Sequence, residues 1–489
     1  MIHSFSMYGD SIVLDVNSGA VYLFDELASA LLDMVSDGGH IIGSWKDQRA
    51  SIERIVDDLA ENTITKSLVK SPEQSLPILI SDIENLIIKH GKEAASETLD
   101  EIEHLIEDDL LFSRDHNAEE MSTLEMTHVF KSICLHVAHN CNMRCGYCFA
   151  SEGNFGMRSE LMDFAVAKGA IDFIVKASDG RRNIEVDFFG GEPLLNFDVI
   201  QRTVDYAREQ EPEHNKKFRF TLTTNGLLLN NRIIDYINEN MDNLVLSLDG
   251  RREVNDNMRK CRDGSGSYDV VLPKFKSLVE RRAGKDYYMR GTYTALNKDF
   301  KEDVLHIVDL GFDQVSVEPV AAPGDDSLKL KKSDMEFIKR QYEELAFEYR
   351  KRRIENCGFN FFHFMVDLDH GPCLSKRITG CGAGYEYAAV APNGDVYPCH
   401  QFVGKEEMKI GSVFAGINNE KLINEFKRAN VYNKNKCRSC WAKFFCSGGC
   451  AANAYITNGS VYEPDNIYCE LTKKRLECAI WLHATANTH

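Results

Sequence analysis

The feature that most constrains the fold of this chain is a sixfold alternation of apolar runs and helical patterns between residues 119 and 330. The apolar runs are short enough for strands and lie at Ile133–Val137, Ile184–Phe189, Phe218–Thr224, Leu244–Leu248, Tyr288–Thr294 and Gln314–Val320. Helical patterns fill the intervals, at Ser159–Lys176, Asp198–Glu209, Arg232–Asn240, Tyr268–Arg282 and Lys301–Leu310. This alternation predicts an α/β fold with a parallel sheet, in which sites lie at the carboxyl ends of the strands.

Three cysteines follow the first predicted strand in the spacing C-x3-C-x2-C, namely Cys141, Cys145 and Cys148. Three thiolates can hold a 4Fe–4S cluster and leave its fourth iron without a protein ligand, so that chemistry can take place there. The alternative is a zinc knuckle or a set of buried structural cysteines, because short cysteine pairs also suit tetrahedral zinc.

Glycine-rich and polar motifs follow the next three strands in order. Phe188–Pro193 contains two glycines that let the backbone approach a ligand and a carboxylate that can accept hydrogen bonds from an ammonium group. The third and fourth strands end in Thr223–Gly226 and Ser247–Gly250, and Arg259 follows. Each motif alone is also typical of an ordinary turn, so their shared order along one sheet is the informative feature.

Two charged residues lie on the later strands and have two interpretations. Arg290 and Glu318 either face a ligand cavity or form a salt bridge inside the sheet.

A second group of cysteines begins after residue 373 and marks another domain. Its spacing is C-x12-G-x4-C followed by C-x2-C-x5-C-x3-C and one later cysteine, with the cysteines at Cys381, Cys399, Cys437, Cys440, Cys446, Cys450 and Cys469. So many soft thiolates favour iron–sulfur clusters or zinc. The remaining cysteines are structural by default, and they are Cys134, Cys261, Cys357, Cys373 and Cys478.

The first 118 residues predict a small domain with a sheet and helices. Ile12–Val16 and Ala20–Phe24 alternate in period two around a turn at Asn17–Gly19, which predicts a hairpin. Helical patterns follow around Leu27–Val35, Ile83–His90 and Ile102–Leu111, and an inserted loop is expected around Ser71–Pro77. Such a unit can bind a peptide as an added strand at an open sheet edge, or it can be an accessory domain without a ligand.

The charge and the N-terminus exclude several classes of function. With 57 Lys and Arg against 75 Asp and Glu the net charge is -18, so nucleic acid is an unfavourable partner. No signal peptide pattern and no run of 18 apolar residues occurs, which predicts a cytoplasmic protein without a membrane anchor. Fifteen cysteines in such a chain point to metal or catalysis rather than disulfides.

The cysteine triad with Tyr147 before its third member resembles the signature of the radical S-adenosylmethionine enzymes. The resemblance implies an open (β/α)6 partial barrel, a 4Fe–4S cluster on Cys141, Cys145 and Cys148, and S-adenosylmethionine cleaved to a 5'-deoxyadenosyl radical. It also implies that the cofactor is bound by Tyr147, Gly190, Gly191, Glu192, Pro193, Thr224, Asn225, Ser247, Asp249 and Arg259. For Tyr147 the ordinary alternative is core packing.

The C-terminal cysteines resemble those of the SPASM domain, which carries two auxiliary 4Fe–4S clusters and so brings the total to three. The resemblance assigns an outer cluster to Cys437, Cys440, Cys446 and Cys469, and an inner cluster to Cys381, Cys399 and Cys450. The inner cluster then has either an open iron that a substrate cysteine ligates or Cys373 as its fourth ligand.

Several longer runs resemble the SCIFF peptide maturases, and the likeness spans essentially the whole chain except for a longer, more acidic region from about 40 to 110. These runs are Leu14–Val21, Thr379–Tyr387, Tyr397–Gly404 and Cys440–Cys450. The resemblance implies thioether links between cysteine sulfur and carbon in a ribosomally made, cysteine-rich precursor peptide, with flavodoxin or ferredoxin as electron donor. The catalytic base is not assigned.

The organisation predicted from these observations has four parts: a winged-helix-like leader-recognition domain at 1–118, a partial barrel at 119–330, a helical bridge at 331–372 and a SPASM domain at 373–489. Within the bridge, Ser333–Glu336 predicts a capping box that starts a long helix to about Arg353. Two alternative functions stay open, namely anaerobic sulfatase maturation or another SPASM peptide oxidation, and a zinc-binding peptide scaffold.

Overall fold

The N-terminal region is an α+β unit with its own apolar core. The computed structural model describes residues 1–60, 85–116, 118, 128–321, 325–369 and 373–486. Strands of this region are β1 (Ile2–Met7), β2 (Asp10–Asp15), β3 (Val21–Phe24), β4 (Ser36–Asp37) and β5 (His40–Ile41). Its helices are α1 (Glu26–Val35), α2 (Trp45–Ala60) and α3 (Lys92–Glu107), with a further helical segment at 85–90.

The predicted hairpin is confirmed, because β2 and β3 pair antiparallel around the turn at residues 17–19. Strand β1, which the sequence analysis missed, pairs with the other edge of β2. Helix α3 begins at Lys92, ten residues before the predicted start, because its first two turns bury only Ala95 and Leu99 and so show a weak apolar pattern. The loop expected at Ser71–Pro77 lies outside the described residues, as do the first two residues of the helix predicted at 83–90.

Six parallel strands form the centre of the molecule, as predicted. Together with a small ribbon, the strands of this region are β6 (Ser132–Ala138), β7 (Met143–Cys145), β8 (Asn183–Gly190), β9 (Lys217–Thr224), β10 (Asn243–Ser247), β11 (Arg259–Cys261), β12 (Tyr288–Tyr293) and β13 (Gln314–Pro319). In the sheet, β6, β8, β9, β10, β12 and β13 are neighbours in chain order, and each adjacent pair is parallel. Strands β7 and β11 pair with each other outside it.

Helices connect these strands and cover the sheet, which gives the partial barrel-like α/β architecture. They are α4 (Phe164–Ala177), α5 (Phe197–His214), α6 (Asn231–Asn240), α7 (Arg252–Met258), α8 (Tyr268–Glu280) and α9 (Phe300–Asp309). The helix predicted from Ser159 starts later, at Phe164. The preceding residues are extended instead, because Glu160 accepts the backbone N–H of His139 and Leu161 bridges Ala138.

The C-terminal region continues the central sheet. Its strands are β14 (Asn360–Phe361), β15 (Tyr387–Val390), β16 (Asp395–Tyr397), β17 (Gly411–Ser412) and β18 (Gly416–Ile417). Strand β15 pairs parallel with β6, and β14 pairs parallel with β13. The sheet therefore has eleven strands among the described residues, in the order β14-β13-β12-β10-β9-β8-β6-β15-β16-β17-β18. The cysteine-rich region is thus built directly onto the edge of the barrel.

Helices complete the C-terminal region and include the predicted bridge. They are α10 (Met335–Ile354), α11 (Leu374–Thr379), α12 (Glu420–Arg428), α13 (Asn435–Arg438), α14 (Lys443–Cys446), α15 (Ala451–Asn458) and α16 (Asn466–Ala484). The long helix α10 packs against α16. The capping box predicted from Ser333 to Glu336 is wrong, because Asp334 accepts the backbone N–H of Lys331 and the ammonium of Lys298 instead.

Within the described ranges, none of the helices combines the length and the apolar character needed to cross a membrane.

Candidate active site

A cavity of about 420 Å³ lies at the carboxyl ends of the central strands. One wall consists of the loops after β6 and β8, the ends of β9 and β10, and residues of β12 and β13. The opposite wall comes from the C-terminal region, with Tyr387, His400, Gln401, Cys450, Asn453 and Tyr468. The barrel and the cysteine-rich region therefore enclose one common space.

All three cysteines of the first triad line this cavity. The ribbon of β7 and β11 fixes their loop, because Cys145 stands opposite Arg259 in its register. Burial, with a smaller contribution from the nearby thiol of Cys148, raises the pKa of Cys141 to about 11 and that of Cys145 to about 12. Three thiols that sense one another's charge at a cavity wall fit a cluster with one open iron.

Two glycines bring the loops after β6 and β8 into direct backbone contact. Gly190 has φ +126°, a conformation that other residues rarely adopt. The backbone N–H of the next residue, Gly191, donates a hydrogen bond to the carbonyl oxygen of Ala138 at 2.8 Å. A Cβ at Gly191 would stand 2.6 Å from the carbonyl carbon of Asn140 and closer still to its oxygen. Only glycine therefore permits this approach beside Cys141.

Glu192 is a buried carboxylate that ties the loop after β8 to the end of β9. Its oxygens accept the backbone N–H of Leu194 at 3.1 Å, the hydroxyl of Thr224 at 2.8 Å and the backbone N–H of Asn225 at 2.8 Å. Burial raises the pKa of Glu192 to about 7, although these donors oppose the rise. The side-chain amide of Asn225 donates in turn to Asn142 at 2.8 Å, which connects the end of β9 to the triad loop.

Tyr147 joins Asp249 and Arg259 in a buried network. Its hydroxyl lies 2.8 Å from both carboxylate oxygens of Asp249 and accepts a hydrogen bond from Arg259 at 2.7 Å. The guanidinium of Arg259 also lies 3.8 Å from the carboxylate of Asp249. Tyr147 is therefore more than core packing, because it connects the triad loop to the ends of β10 and α7.

Nine of the ten residues predicted to contact the cofactor line the cavity. These nine are Tyr147, Gly190, Gly191, Glu192, Pro193, Thr224, Asn225, Ser247 and Arg259. Asp249 is absent from the described cavity wall, because its carboxylate faces Tyr147 and accepts the backbone N–H of Thr292 at 3.1 Å. It supports the wall from behind. A 4Fe–4S cluster and S-adenosylmethionine fit this set of thiols, glycines and a buried carboxylate.

Arg290 and Glu318 satisfy both of their predicted interpretations. They form an ion pair at 3.3 Å, and both line the cavity. Burial alone would raise the pKa of Glu318, but Arg290, His363 and Arg475 outweigh it and lower that pKa to about 2. Glu318 is therefore held as a carboxylate.

The predicted inner set of thiols borders the same cavity through Cys450. Burial raises the pKa of Cys399, and the thiols of Cys450 and Cys381 raise it further, so these three groups lie close together. Cys373 lies at the start of α11, and both Cys373 and Cys381 are exposed.

The predicted outer set lies on α13, α14 and α16 and in the turn between the first two. Burial raises the pKa of Cys437, Cys446 and Cys469 to about 11, and each of these thiols also senses Cys440. Lys434 lies between the two sets: it is buried, donates to the carbonyl of Gly448 at 2.8 Å and senses thiols of both.

Within the described ranges, no three His, Cys, Asp or Glu side chains converge closely enough to hold a single metal ion. A cluster of four irons spreads its thiolates over a larger volume than a single ion requires.

Sequence reasoning missed several residues of the cavity, among them Asp187, His400 and Tyr468. Asp187 is a carboxylate in the middle of β8, where it alternates with apolar residues in the same way as Asn183 and Glu185. His400 follows Cys399 directly, and burial lowers its pKa to about 4. Tyr468 precedes Cys469 in α16. Proximity to a ligand cysteine was the available signal for the last two.

Comparison with protein families defines the class of this protein. Residues 135–317 match the Radical SAM superfamily, and residues 381–441 match SPASM, an iron-sulfur cluster-binding domain. The chain therefore contains a radical SAM domain and a SPASM domain, and these matches favour iron–sulfur clusters over the zinc alternative.

Three curated relatives refine this class. The chain is 25% identical over 360 residues to a cysteine-type anaerobic sulfatase-maturating enzyme of Clostridium novyi, covering 69% of this chain and 92% of that one. It is 23% identical over 384 residues to the radical SAM cyclopropyl synthase TigE of Paramaledivibacter caminithermalis, covering 74% and 76%. A shorter match, 36% identical over 137 residues, covers 28% of this chain and 44% of an uncharacterized protein of Methanocaldococcus jannaschii.

The fold also resembles solved structures. Native anSMEcpe with bound AdoMet and Kp18Cys peptide has a TM-score of 0.60 and 20% sequence identity, and the match covers 73% of this chain and 99% of that one. The likeness supports the arrangement of the barrel and the cysteine-rich region described above.

Proposed function

We propose that this protein forms intramolecular thioether links between cysteine sulfur and a carbon of another residue in a ribosomally made, cysteine-rich peptide. The observation that carries the proposal is the common cavity, which is lined by Cys141, Cys145 and Cys148 on one side and by Cys450 of the inner set on the other. A thiol bound at the inner set and a carbon positioned at the triad would therefore meet in one enclosed space, and such proximity strongly accelerates bond formation.

The residues of the barrel wall would hold the cofactors in this proposal. Cys141, Cys145 and Cys148 hold a 4Fe–4S cluster, while the motif Gly190–Pro193 binds the amino group of S-adenosylmethionine. The other predicted contacts are Tyr147, Thr224, Asn225, Ser247 and Arg259, with Asp249 orienting Tyr147 and Arg259. When bound, these groups supply a hydrogen-atom acceptor, and the auxiliary clusters supply a one-electron acceptor.

The C-terminal thiols would hold two more clusters, which makes three in total. Cys437, Cys440, Cys446 and Cys469 form the outer set, and Cys381, Cys399 and Cys450 form the inner set with one open position. The thiol of Cys381 raises the pKa of both Cys399 and Cys450, which supports these three cysteines as the protein ligands of the inner set. A coordinated substrate thiol would be held there as thiolate.

The N-terminal region would recognise the leader of the precursor peptide. Strand β3 is an edge strand of its sheet, and Leu23 on it is 40% exposed although apolar. A peptide that adds as a strand beside β3 gains backbone hydrogen bonds and apolar contact with Leu23.

We further infer that the boundaries at 118, 330 and 372 separate this winged-helix-like domain, the barrel, the bridge and the SPASM domain. We also infer that a flavodoxin or ferredoxin supplies the electrons for the reaction.

The likeness of Thr379–Tyr387 and Cys440–Cys450 to the SCIFF maturases supports thioether formation in particular. Sulfatase maturation is the second candidate, because the Clostridium novyi sulfatase-maturating enzyme matches 69% of this chain. The two reactions have different products: a thioether link removes two hydrogens and keeps the sulfur, whereas conversion of a cysteine to an aldehyde removes the sulfur.

Mass spectrometry separates these candidates. The anaerobically reconstituted protein is incubated with S-adenosylmethionine, a low-potential reductant and a cysteine-rich peptide with its leader. We expect the peptide to lose two hydrogens per link, with one thiol fewer for alkylation and a cysteine joined to another residue in fragment spectra. Loss of sulfur from the peptide would support sulfatase-type maturation, and an unchanged peptide mass with several such precursors would contradict both.

A further inference from the structure

Three carboxylates occur among the described residues that line the cavity, and two of them already have other roles. Glu192 accepts three hydrogen bonds that hold the loops of the predicted cofactor site. Glu318 pairs with Arg290 and is held ionised, with a pKa of about 2, so it is a very weak proton acceptor. Asp187 is the third, and neither the cofactor site nor an ion pair explains it.

Asp187 lies at the centre of the sheet wall that faces the cavity. In the strand register it stands between Cys134 on β6 and Thr221 on β9, and all three residues line the cavity. Tyr387, on β15 of the C-terminal region, also lines the cavity, and its side chain forms a hydrogen bond with the side chain of Cys134. Asp187 therefore faces the space shared by the triad and the inner thiols.

The surroundings of Asp187 are polar, and among the residues that the structure describes no cation shifts its pKa. Burial, and to a lesser extent Glu185 on the same strand, raise its pKa to about 7 against the opposing hydrogen bond from the hydroxyl of Thr221. The other ionisable neighbours are the thiol of Cys134 on β6 and the phenol of Tyr387 on β15, both neutral because burial raises their pKa. A carboxylate in such a position alternates between its two protonation states near neutral pH.

We propose that Asp187 accepts the thiol proton of the substrate cysteine as its sulfur binds at the inner set, before the sulfur–carbon bond forms, an inference that rests on the proposed function. The S–H bond breaks, the proton becomes the O–H of the Asp187 carboxyl, and the sulfur electron pair makes the new bond to the substrate carbon radical. One electron is left over and passes to a one-electron acceptor of the iron–sulfur class. The substrate thus loses one hydrogen atom, one proton and one electron for each link.

The burial of Asp187 strengthens it as a base. A free thiol has a pKa near 8.5, so proton transfer to a group of pKa 7 is unfavourable by about 30-fold, against about 50,000-fold for an ordinary aspartate. The buried position thereby improves the equilibrium by about three orders of magnitude. General bases of this kind contribute about 100-fold to 10,000-fold to a rate.

The first test compares Asp187→Asn and Asp187→Glu with the wild-type holoenzyme. We expect Asp187→Asn to lower the rate of cross-linking at least about 100-fold while 5'-deoxyadenosine still forms, and Asp187→Glu to restore part of the cross-linking. Cross-linking by Asp187→Asn within tenfold of the wild-type rate would overturn the proposal. If the wild-type enzyme itself makes no thioether, the proposed function fails, and the assignment of Asp187 fails with it.

A second pair of variants keeps Asp187 in place and shifts its titration in opposite directions. Thr221→Val removes a hydrogen bond that lowers the pKa of Asp187, so the rising limb of the cross-linking pH profile should move to higher pH. Glu185→Gln removes a negative charge that raises the pKa of Asp187, so the rising limb of the pH profile should move to lower pH. Because Glu185 is exposed outside the cavity, this substitution leaves the contacts with the substrate unchanged. Shifts in the same direction, or none, would overturn the proposal.

A direct readout does not depend on turnover. Infrared difference spectra of the holoenzyme without peptide should show carboxyl bands that titrate between about pH 6 and pH 8, and the band of Asp187 is the one that is missing in Asp187→Asn while that of Glu192 remains. A wild-type protein in which the band of Asp187 titrates below pH 5 would contradict the assignment of Asp187 even if thioethers form, so the two proposals can fail separately.

Discussion

Replacing Gly191 by alanine tests whether the close approach of two loops builds the radical site. The added Cβ would lie 2.6 Å from the carbonyl carbon of Asn140 and closer still to its oxygen, whereas ordinary contacts begin at 3.4 Å, so the Cys141 loop must retreat by at least about 0.8 Å. The retreat also weakens the hydrogen bond from the Glu192 N–H to the Asn140 carbonyl, now 2.9 Å, which contributes about 1 kcal/mol. Overpacking of this kind costs about 1–3 kcal/mol.

A displacement near 1 Å at a reacting centre lowers rates by about 100-fold. We therefore expect Gly191→Ala to bind S-adenosylmethionine at least about tenfold more weakly and to form 5'-deoxyadenosine about 100-fold more slowly, while iron in the auxiliary clusters is retained. The matched control is Gly180→Ala, since a Cβ at Gly180 meets nothing within 4 Å and its φ is not in the positive region. Calorimetric binding and product chromatography measure both quantities. Equal behaviour of the two variants would refute the reasoning.

Three further predictions concern other parts of the molecule. Tyr147→Phe removes the hydroxyl between Asp249 and Arg259 and should lower stability to urea by about 1–3 kcal/mol, whereas Tyr8→Phe at an exposed position should change nothing measurable. Cys373→Ser should leave the iron content unchanged, while Cys381→Ser lowers it; equal iron loss in both would identify Cys373 as the fourth inner ligand. Leu23→Glu at the edge of β3 should weaken leader-peptide binding, measured by fluorescence anisotropy, more than Ile88→Glu at an exposed helical position does, and equal affinities would exclude β3 as the binding edge.

The central sheet could be predicted from sequence because each strand is a continuous apolar run between clear helical patterns. All six strands were found within one residue of their observed ends, and the order of motifs along them indicated the cavity. The start of α4 could not be found, since Glu160 and Leu161 take part in long-range contacts with His139 and Ala138 that leave no local pattern. The capping residue of α10 was missed for the same reason, because Asp334 is fixed by Lys298 on a distant loop.

The site could be predicted only in part from the sequence. Spacing identified the thiols, because three cysteines on one short loop must lie close together. It did not show that Asp249 supports Tyr147 from behind the wall, or that β15 continues the sheet beside β6 and brings Cys399 toward Cys134. Asp187 was overlooked because a polar residue inside a strand looks like a solvent-facing position until the partner strands are known.

The most direct test of the account is the stoichiometry of the reaction in the wild-type protein and in a variant with alanine at Cys141, Cys145 and Cys148. We predict that the wild-type protein forms one 5'-deoxyadenosine for each pair of hydrogens lost from the peptide. The triple variant should form neither product while the iron bound by the C-terminal thiols remains. Undiminished 5'-deoxyadenosine from the triple variant would contradict the assignment of the radical centre to this triad.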